Sequence, residues 1–174
     1  PDPANWTDLV VGEGIYFLPP DLDPEVSDTE FRALIEAGCT DDFGNRRHCI
    51  VRRTCASCAS VPHRDIYYKR LTPLPPSGTN STAGEVYLLD MFMNNWFKYE
   101  ELEHGNVMDT DFQLFSTYDD AKAGTNAWTY CNYNHANIGF PRDCGPFGWV
   151  HNNWNSYVRG GGHADHHGFY VEKP

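Results

Sequence analysis

The stretch GGGHADHHGFY, from Gly160 to Tyr170, gathers side chains that hold metals and move protons. In an extended chain His163, Asp165 and His167 fall on one face, because side chains alternate along a strand. Two imidazoles at that spacing can share one ion, with the aspartate as a third ligand, and His135 or His151 could join from another loop. The cofactor expected in that case is a divalent cation, zinc or calcium. A catalytic zinc would also need an open coordination position and a neighbouring base. Against a metal stand the glycines before the cluster, which suit a loop, and the lack of a recognised metal-binding signature.

A second chemistry lies just upstream, in AWTYCNYNHANIGFPRDCGPFGWVHNNWNSY, residues 127–157. Aromatic rings alternate there with amides, and aliphatic residues are scarce. A sugar ring has an apolar C–H face that packs on an indole or phenol, and hydroxyls that amides and carboxylates can orient. Trp149, Trp154 and Tyr133 are the candidate stacking rings. Asn152, Asn153, Asn155, Asp143 and Arg142 are the candidate hydroxyl partners, with Arg142 offering a forked donor. The competing reading is scaffold: buried rings with bonded polar ends, and asparagines that serve tight turns.

Six cysteines, Cys39, Cys49, Cys55, Cys58, Cys131 and Cys144, accompany two acceptor triplets for N-linked glycans, at Asn5 and Asn80. Together they read as the disulfide framework of a secreted, glycosylated protein. Four cysteines precede the proline-rich PLPPSGTNSTAG loop and two follow it, so Cys131–Cys144 is expected in the second half and two bridges in the first. Zinc is the rival, since CASC at Cys55–Cys58 has knuckle spacing, but Cys39 and Cys49 stand too far apart for the second pair. A redox role for CASC lacks the strand-then-helix setting of that chemistry.

Several function classes drop out. A formal charge of −11 repels phosphate backbones and anionic membranes, so neither nucleic acid nor membrane insertion is expected. The carboxylate pairs Asp21/Asp23, Asp41/Asp42, Asp109/Asp111 and Asp119/Asp120 do not follow the spaced calcium-loop pattern. There is no nucleophile elbow, phosphate-binding glycine loop or His-Glu-x-x-His. The opening PDPANWT suits a mature terminus or an excised module.

The elements that must position these groups read as short strands with one clear helix. SDTEFRALIEAG carries a capping box, Ser27 with Glu30, an apolar face of Phe31, Leu34 and Ile35, and Gly38 at its end. HCIVRRT and DIYYKRL read as strands joined through the CASC turn, and DTDFQLFSTY alternates cleanly. EVYLLDMFMNNWF fits either helix or buried strand. WTYCNY, FGWV, NSYVR and GFYVEK read as further strands. The expected fold is mainly antiparallel β, sandwich or jelly-roll-like, with one or two short helices. It forms one module over residues 1–174, with a possible subdivision near residues 72–84.

These observations lead to three functional expectations. The first is a non-catalytic secreted or cell-surface module that binds extracellular glycans through Trp149 and Trp154. The second is a structural subunit of an extracellular filament, coat or matrix, contacting neighbouring copies of itself. The third is a metal-dependent hydrolase built on His163, Asp165 and His167.

Overall fold

The computed structural model describes residues 4–8, 10–12, 26–78, 84–94, 96, 105–131, 137–154 and 167–174. Its strands are β1 (Val11–Gly12), β2 (Cys39–Thr40), β3 (Arg46–Arg47), β4 (Val51–Cys55), β5 (Asp65–Arg70), β6 (Phe112–Phe115) and β7 (His167–Val171). The helices are α1 (Asp28–Glu36), α2 (Leu88–Met93) and α3 (Tyr118–Ala123), with a short 3-10 turn at Val61–Arg64. Five strands form one antiparallel sheet in the order β1-β7-β4-β5-β6, and β2 pairs with β3 as a separate ribbon.

Register explains which side chains meet. Val51 lies opposite both Val171 and Tyr68, and Tyr68 lies opposite Leu114, so these four make one cross-strand row. Ile66, Phe112 and Phe169 share that face, and all seven belong to the main core. Tyr170, Tyr67 and Phe115 alternate to the other face and join Trp6, Ile50 and Ala121 of α3 in a smaller cluster. Both faces are therefore covered, which is why every residue of the inner strand β7 is buried.

The main face is covered by helices and loops. α1 starts as its sequence dictates: Ser27 Oγ accepts from the Glu30 amide at 3.2 Å, and the Glu30 carboxylate accepts from the Ser27 amide at 2.8 Å. Phe31 and Ile35 point inward, and Gly38 follows with φ of 93°, the left-handed value that glycine adopts without strain. The ambiguous apolar run resolves as α2, with Leu88, Leu89, Met91, Phe92 and Met93 buried. Phe92 meets Phe31 at 5.6 Å, Tyr68 at 5.1 Å and Phe140 at 5.4 Å between ring centres. Among the described residues the strands thus form an open sheet backed by helices, not a closed barrel. FGWV is a loop, and the described part of WTYCNY, residues 128–131, contributes one bridge, Tyr130 to Gly145. The turn chemistry of Gly145, Pro146 and Gly148 prevails over the aromatic strand propensity there. NSYVR lies outside the described residues.

All six cysteines are paired: Cys39–Cys49, Cys55–Cys58 and Cys131–Cys144. No described helix is long and apolar enough to cross a membrane.

Candidate functional site

The aromatic segment is built outward from β6. The Trp128 amide donates to the Leu114 carbonyl at 2.8 Å and its indole Nε1 donates to Ser116 Oγ at 2.8 Å, which fixes the start of the segment against the sheet. The Cys131–Cys144 bridge closes the returning chain, and Tyr130 exchanges backbone bonds with Gly145 at 3.3 and 3.0 Å. The Thr129 amide and hydroxyl both donate to the Pro146 carbonyl, at 3.1 and 3.0 Å, and the Val150 amide donates to the Asp143 carbonyl at 3.3 Å. Gly145 is needed at the pinch: a Cβ there would stand 2.1 Å from the Gly148 carbonyl oxygen. The result is a short loop held at both ends.

What this loop presents is aromatic. Phe147 is 95% exposed, Trp149 62% and Tyr130 38%. The His151 ring lies 4.8 Å from the Trp149 ring, and His151 and Asn152 are both exposed. Asn152 has φ of 63°, a backbone conformation that asparagine tolerates better than most residues.

The other nominated polar groups face inward. Arg142 and Asp143 form a buried ion pair at 3.0 Å. Asn153 is buried; its Nδ2 donates to the His151 carbonyl at 2.8 Å and its Oδ1 accepts from the Ser60 amide at 3.3 Å. Trp154, at 7% exposure, offers no open ring face, so it does not stand beside Trp149 as half of a shared platform. Its Nε1 has no hydrogen-bond partner among the described residues. Tyr133 and Asn155 lie outside the described residues. Of the candidates, Trp149 and Asn152 are thus at the surface, while Trp154, Asn153, Arg142 and Asp143 belong to the support beneath it.

That support includes His63, which sequence reasoning did not nominate. Its Nε2–H donates to the Cys144 carbonyl at 2.7 Å, and Ser60 Oγ lies 2.8 Å from Nδ1, as a hydroxyl donating to a neutral imidazole would. The ring packs 4.9 Å from Trp128. Burial lowers its pKa to about 4, with the Arg53 charge adding in the same direction and the Cys144 bond opposing. Arg53 donates to the His63 carbonyl at 3.0 Å and lies 3.5 Å from Cys58 Sγ. Burial pulls Arg53 down to about 9, still charged at neutral pH. This region is a rigid mount joining the Cys55–Cys58 turn to the aromatic loop.

Compared with models of known protein families, with curated proteins and with solved structures, the chain matches none.

The metal candidates fare differently. His163 and Asp165 lie outside the described residues. His167 is interior, opposite Cys55 in the sheet and 6.0 Å from the Phe169 ring. Among the described residues the one close group of ligand-type atoms is Cys39, Cys49 and Glu172, but both sulfurs are spent in a disulfide. Glu172 is engaged as well: it accepts from Arg47 at 2.5 and 2.8 Å, from Tyr118 Oη at 2.5 Å and from the Ile50 amide at 3.0 Å. The Cys55–Cys58 pair is fully buried, which removes it from exchange with solutes.

A second feature missed in the sequence is a polar cleft at the other end of the β4–β5 hairpin, walled by Arg46, Arg47, His48 and Arg70. Its nearest sequence signal was the RRH triplet at Arg46–His48.

Proposed function

We propose that the chain is a non-catalytic, disulfide-stapled extracellular module, secreted or displayed at a cell surface, that binds carbohydrate on the loop carrying Trp149. The observation that carries the reading is a solvent-facing indole on a loop whose ends are tied by a disulfide and backbone bonds. A prearranged ring loses little freedom when a sugar packs on it. Asn152 and His151 stand beside it with hydroxyl-bonding groups. Three disulfides suit an oxidising compartment, and Asn5 of the first glycan acceptor triplet is exposed. Asn80 lies outside the described residues.

The test is a broad glycan array probed with the wild-type chain and with Trp149→Ala, each with calcium and with a chelator. Binding that the variant loses supports the reading, and loss in chelator adds a divalent cation to the site. An array blank for wild-type in both conditions sinks it.

One observation favours a second reading. Phe147 is almost entirely exposed, more than a sugar platform requires, and exposed apolar rings are also how copies of a chain meet. A structural subunit of a filament, coat or matrix would self-associate through Phe147 and Trp149. The hydrolase reading draws no support from the described residues, where His167 is interior.

A further inference from the structure

We propose that the cleft walled by Arg46, Arg47, His48 and Arg70 is a binding site for a small oxyanion, a sulfate, phosphate or carboxylate group, either free or carried on a sugar-sized molecule. The cleft encloses about 430 Å³ at the carboxyl end of α1, beside the β2–β3 ribbon and the last residue of β5. Arg46, Arg47 and Arg70 converge there beside one carboxylate, Glu36; with Arg47 paired to Glu172, two guanidiniums stand against Glu36, a local excess of positive charge in a chain whose net charge is −11.

The charges do not cancel internally. Arg47 is neutralised by its two-pronged bond to Glu172. Glu36, the acidic residue in the wall, is shared with Arg32 at 3.8 Å. Arg46 is exposed and lies across Gly38, where a Cβ would meet its Nε at 2.5 Å. Among the described residues its hydrogen-bond partner is the Ala37 carbonyl, at 3.4 Å.

Arg70 is the more telling group. It is 3% exposed, and its donors go to the Thr72 carbonyl and hydroxyl, the Pro73 and Gly105 carbonyls and Tyr68 Oη. Every one of these acceptors is neutral. The nearest bonded carboxylate, Asp111, is reached only across the Thr72 hydroxyl. Among the described residues every N–H of the Arg70 guanidinium is thereby used on a neutral acceptor, so Arg70 lends the cleft an uncompensated charge and no free donor; an anion seated there would offset that charge while bonding to Arg46.

His48 reports the same field. Its pKa is lowered first by burial and then by the Arg70 charge, with Arg46 adding to the effect and Glu36 opposing it. The volume exceeds a bare oxyanion and leaves room for a small organic body, whereas a long polyanion would meet the acidic remainder of the surface.

The site is independent of the aromatic loop. The test titrates the isotope-labelled full chain with sodium sulfate, sodium phosphate and sodium glucuronate, holding ionic strength constant with chloride and using glucose as the neutral control. Backbone amide shifts are followed at residues 46–48 and 70. We expect saturable shifts at those residues with at least one oxyanion, and none with glucose. Saturation by sulfate or phosphate alone indicates a free ion, and saturation by glucuronate alone indicates an anion borne on a sugar; either supports the site. Arg46→Glu should weaken binding about tenfold or more, since it replaces a charge-assisted donor with a repelling carboxylate, and Arg46→Gln should weaken it less. Trp149→Ala should leave the affinity unchanged. Shifts that never saturate, an equal response to chloride, or an affinity unaltered in Arg46→Glu would overturn the proposal. Loss of anion binding in Trp149→Ala would overturn it too, by moving the anion to the aromatic loop.

Discussion

The β4–β5 hairpin has a different chemistry at each end. At the Cys55–Asp65 end, the polar groups are used up within the protein: His63 is held by Ser60 and Cys144, Asn153 bonds to Ser60 and His151, and Arg142 pairs with Asp143. What faces solvent there is the rings of Phe147 and Trp149, with His151 and Asn152 beside them. At the Val51–Arg70 end, the rings are inside and cations remain, with Arg46 and Arg70 lacking a carboxylate of their own among the described residues. The five residues of β4, at about 3.3 Å each, place the two ends roughly 13 Å apart. The contrast teaches that a polar side chain with its bonds filled by the fold is a support, whatever its chemistry suggests in sequence. Groups left with unspent capacity, the Trp149 face and the Arg46 guanidinium, are the ones available to a ligand.

The comparison can be broken most forcefully at its supports. Glu172→Ala removes the carboxylate that holds Arg47, Tyr118 and the Ile50 amide, leaving a largely buried cation without its carboxylate and two donors without this acceptor. Loss of about 3–5 kcal/mol is expected, read as a shift of the urea midpoint with unchanged slope. A similar loss is expected from Trp154→Ala, about 3–5 kcal/mol for a large buried ring, against less than about 0.5 kcal/mol for Trp149→Ala. Equal stability of the two tryptophan variants would erase the distinction between mount and surface.

His63 sharpens the comparison through pH. Its folded pKa of about 4 lies below the ordinary 6.5, so between those values the unfolded chain binds more protons than the folded one. Stability is therefore full above that window and falls as pH drops through it, by at most roughly 3 kcal/mol. Urea midpoints across the window should show the slope, and His63→Leu should flatten it. A midpoint constant over that range in wild-type protein would mean that the imidazole is not held neutral by burial.

The smallest expected effect on folding is at the cationic end. Arg46→Gln changes an exposed side chain with one long bond to Ala37, so its thermal midpoint should stay within the range of an ordinary surface substitution, about 0.5 kcal/mol. A much larger loss would make Arg46 a helix-terminating support, no different in kind from Asn153.

Much of the frame was legible in the chain itself. Ser27, Glu30 and Gly38 bound α1 because caps are local interactions that need no partner from elsewhere. β4 and β5 were legible as strand-forming runs on either side of the CASC turn, and β6 by its alternation. Cys131–Cys144 followed from the grouping of the cysteines on either side of the proline-rich loop, whereas the pairing of the first four, Cys39–Cys49 and Cys55–Cys58, was left to the structure. The state of the 86–96 run was not legible, since its apolar residues suit helical spacing and a buried strand alike, and only the space between α1 and the sheet decided for α2. Nor could the segment at residues 142–154 be sorted into surface and support. Asn152 and Asn153 are neighbours of one type, and what separates them is a bond to Ser60, far away in sequence.

The amino-acid sequence by itself determined local structure: where α1 begins and ends, which stretches run as strands in the central sheet, and that the last two cysteines pair with each other. It also set the overall acidity. Tertiary structure alone decided which polar groups were spent and which were left over. It brought Arg46, Arg47 and His48 to Arg70, turned Trp154 inward and Trp149 outward, and closed His63 over Cys144. The reason is physical. Caps and alternation depend on neighbours along the chain, whereas burial and charge compensation depend on neighbours in space.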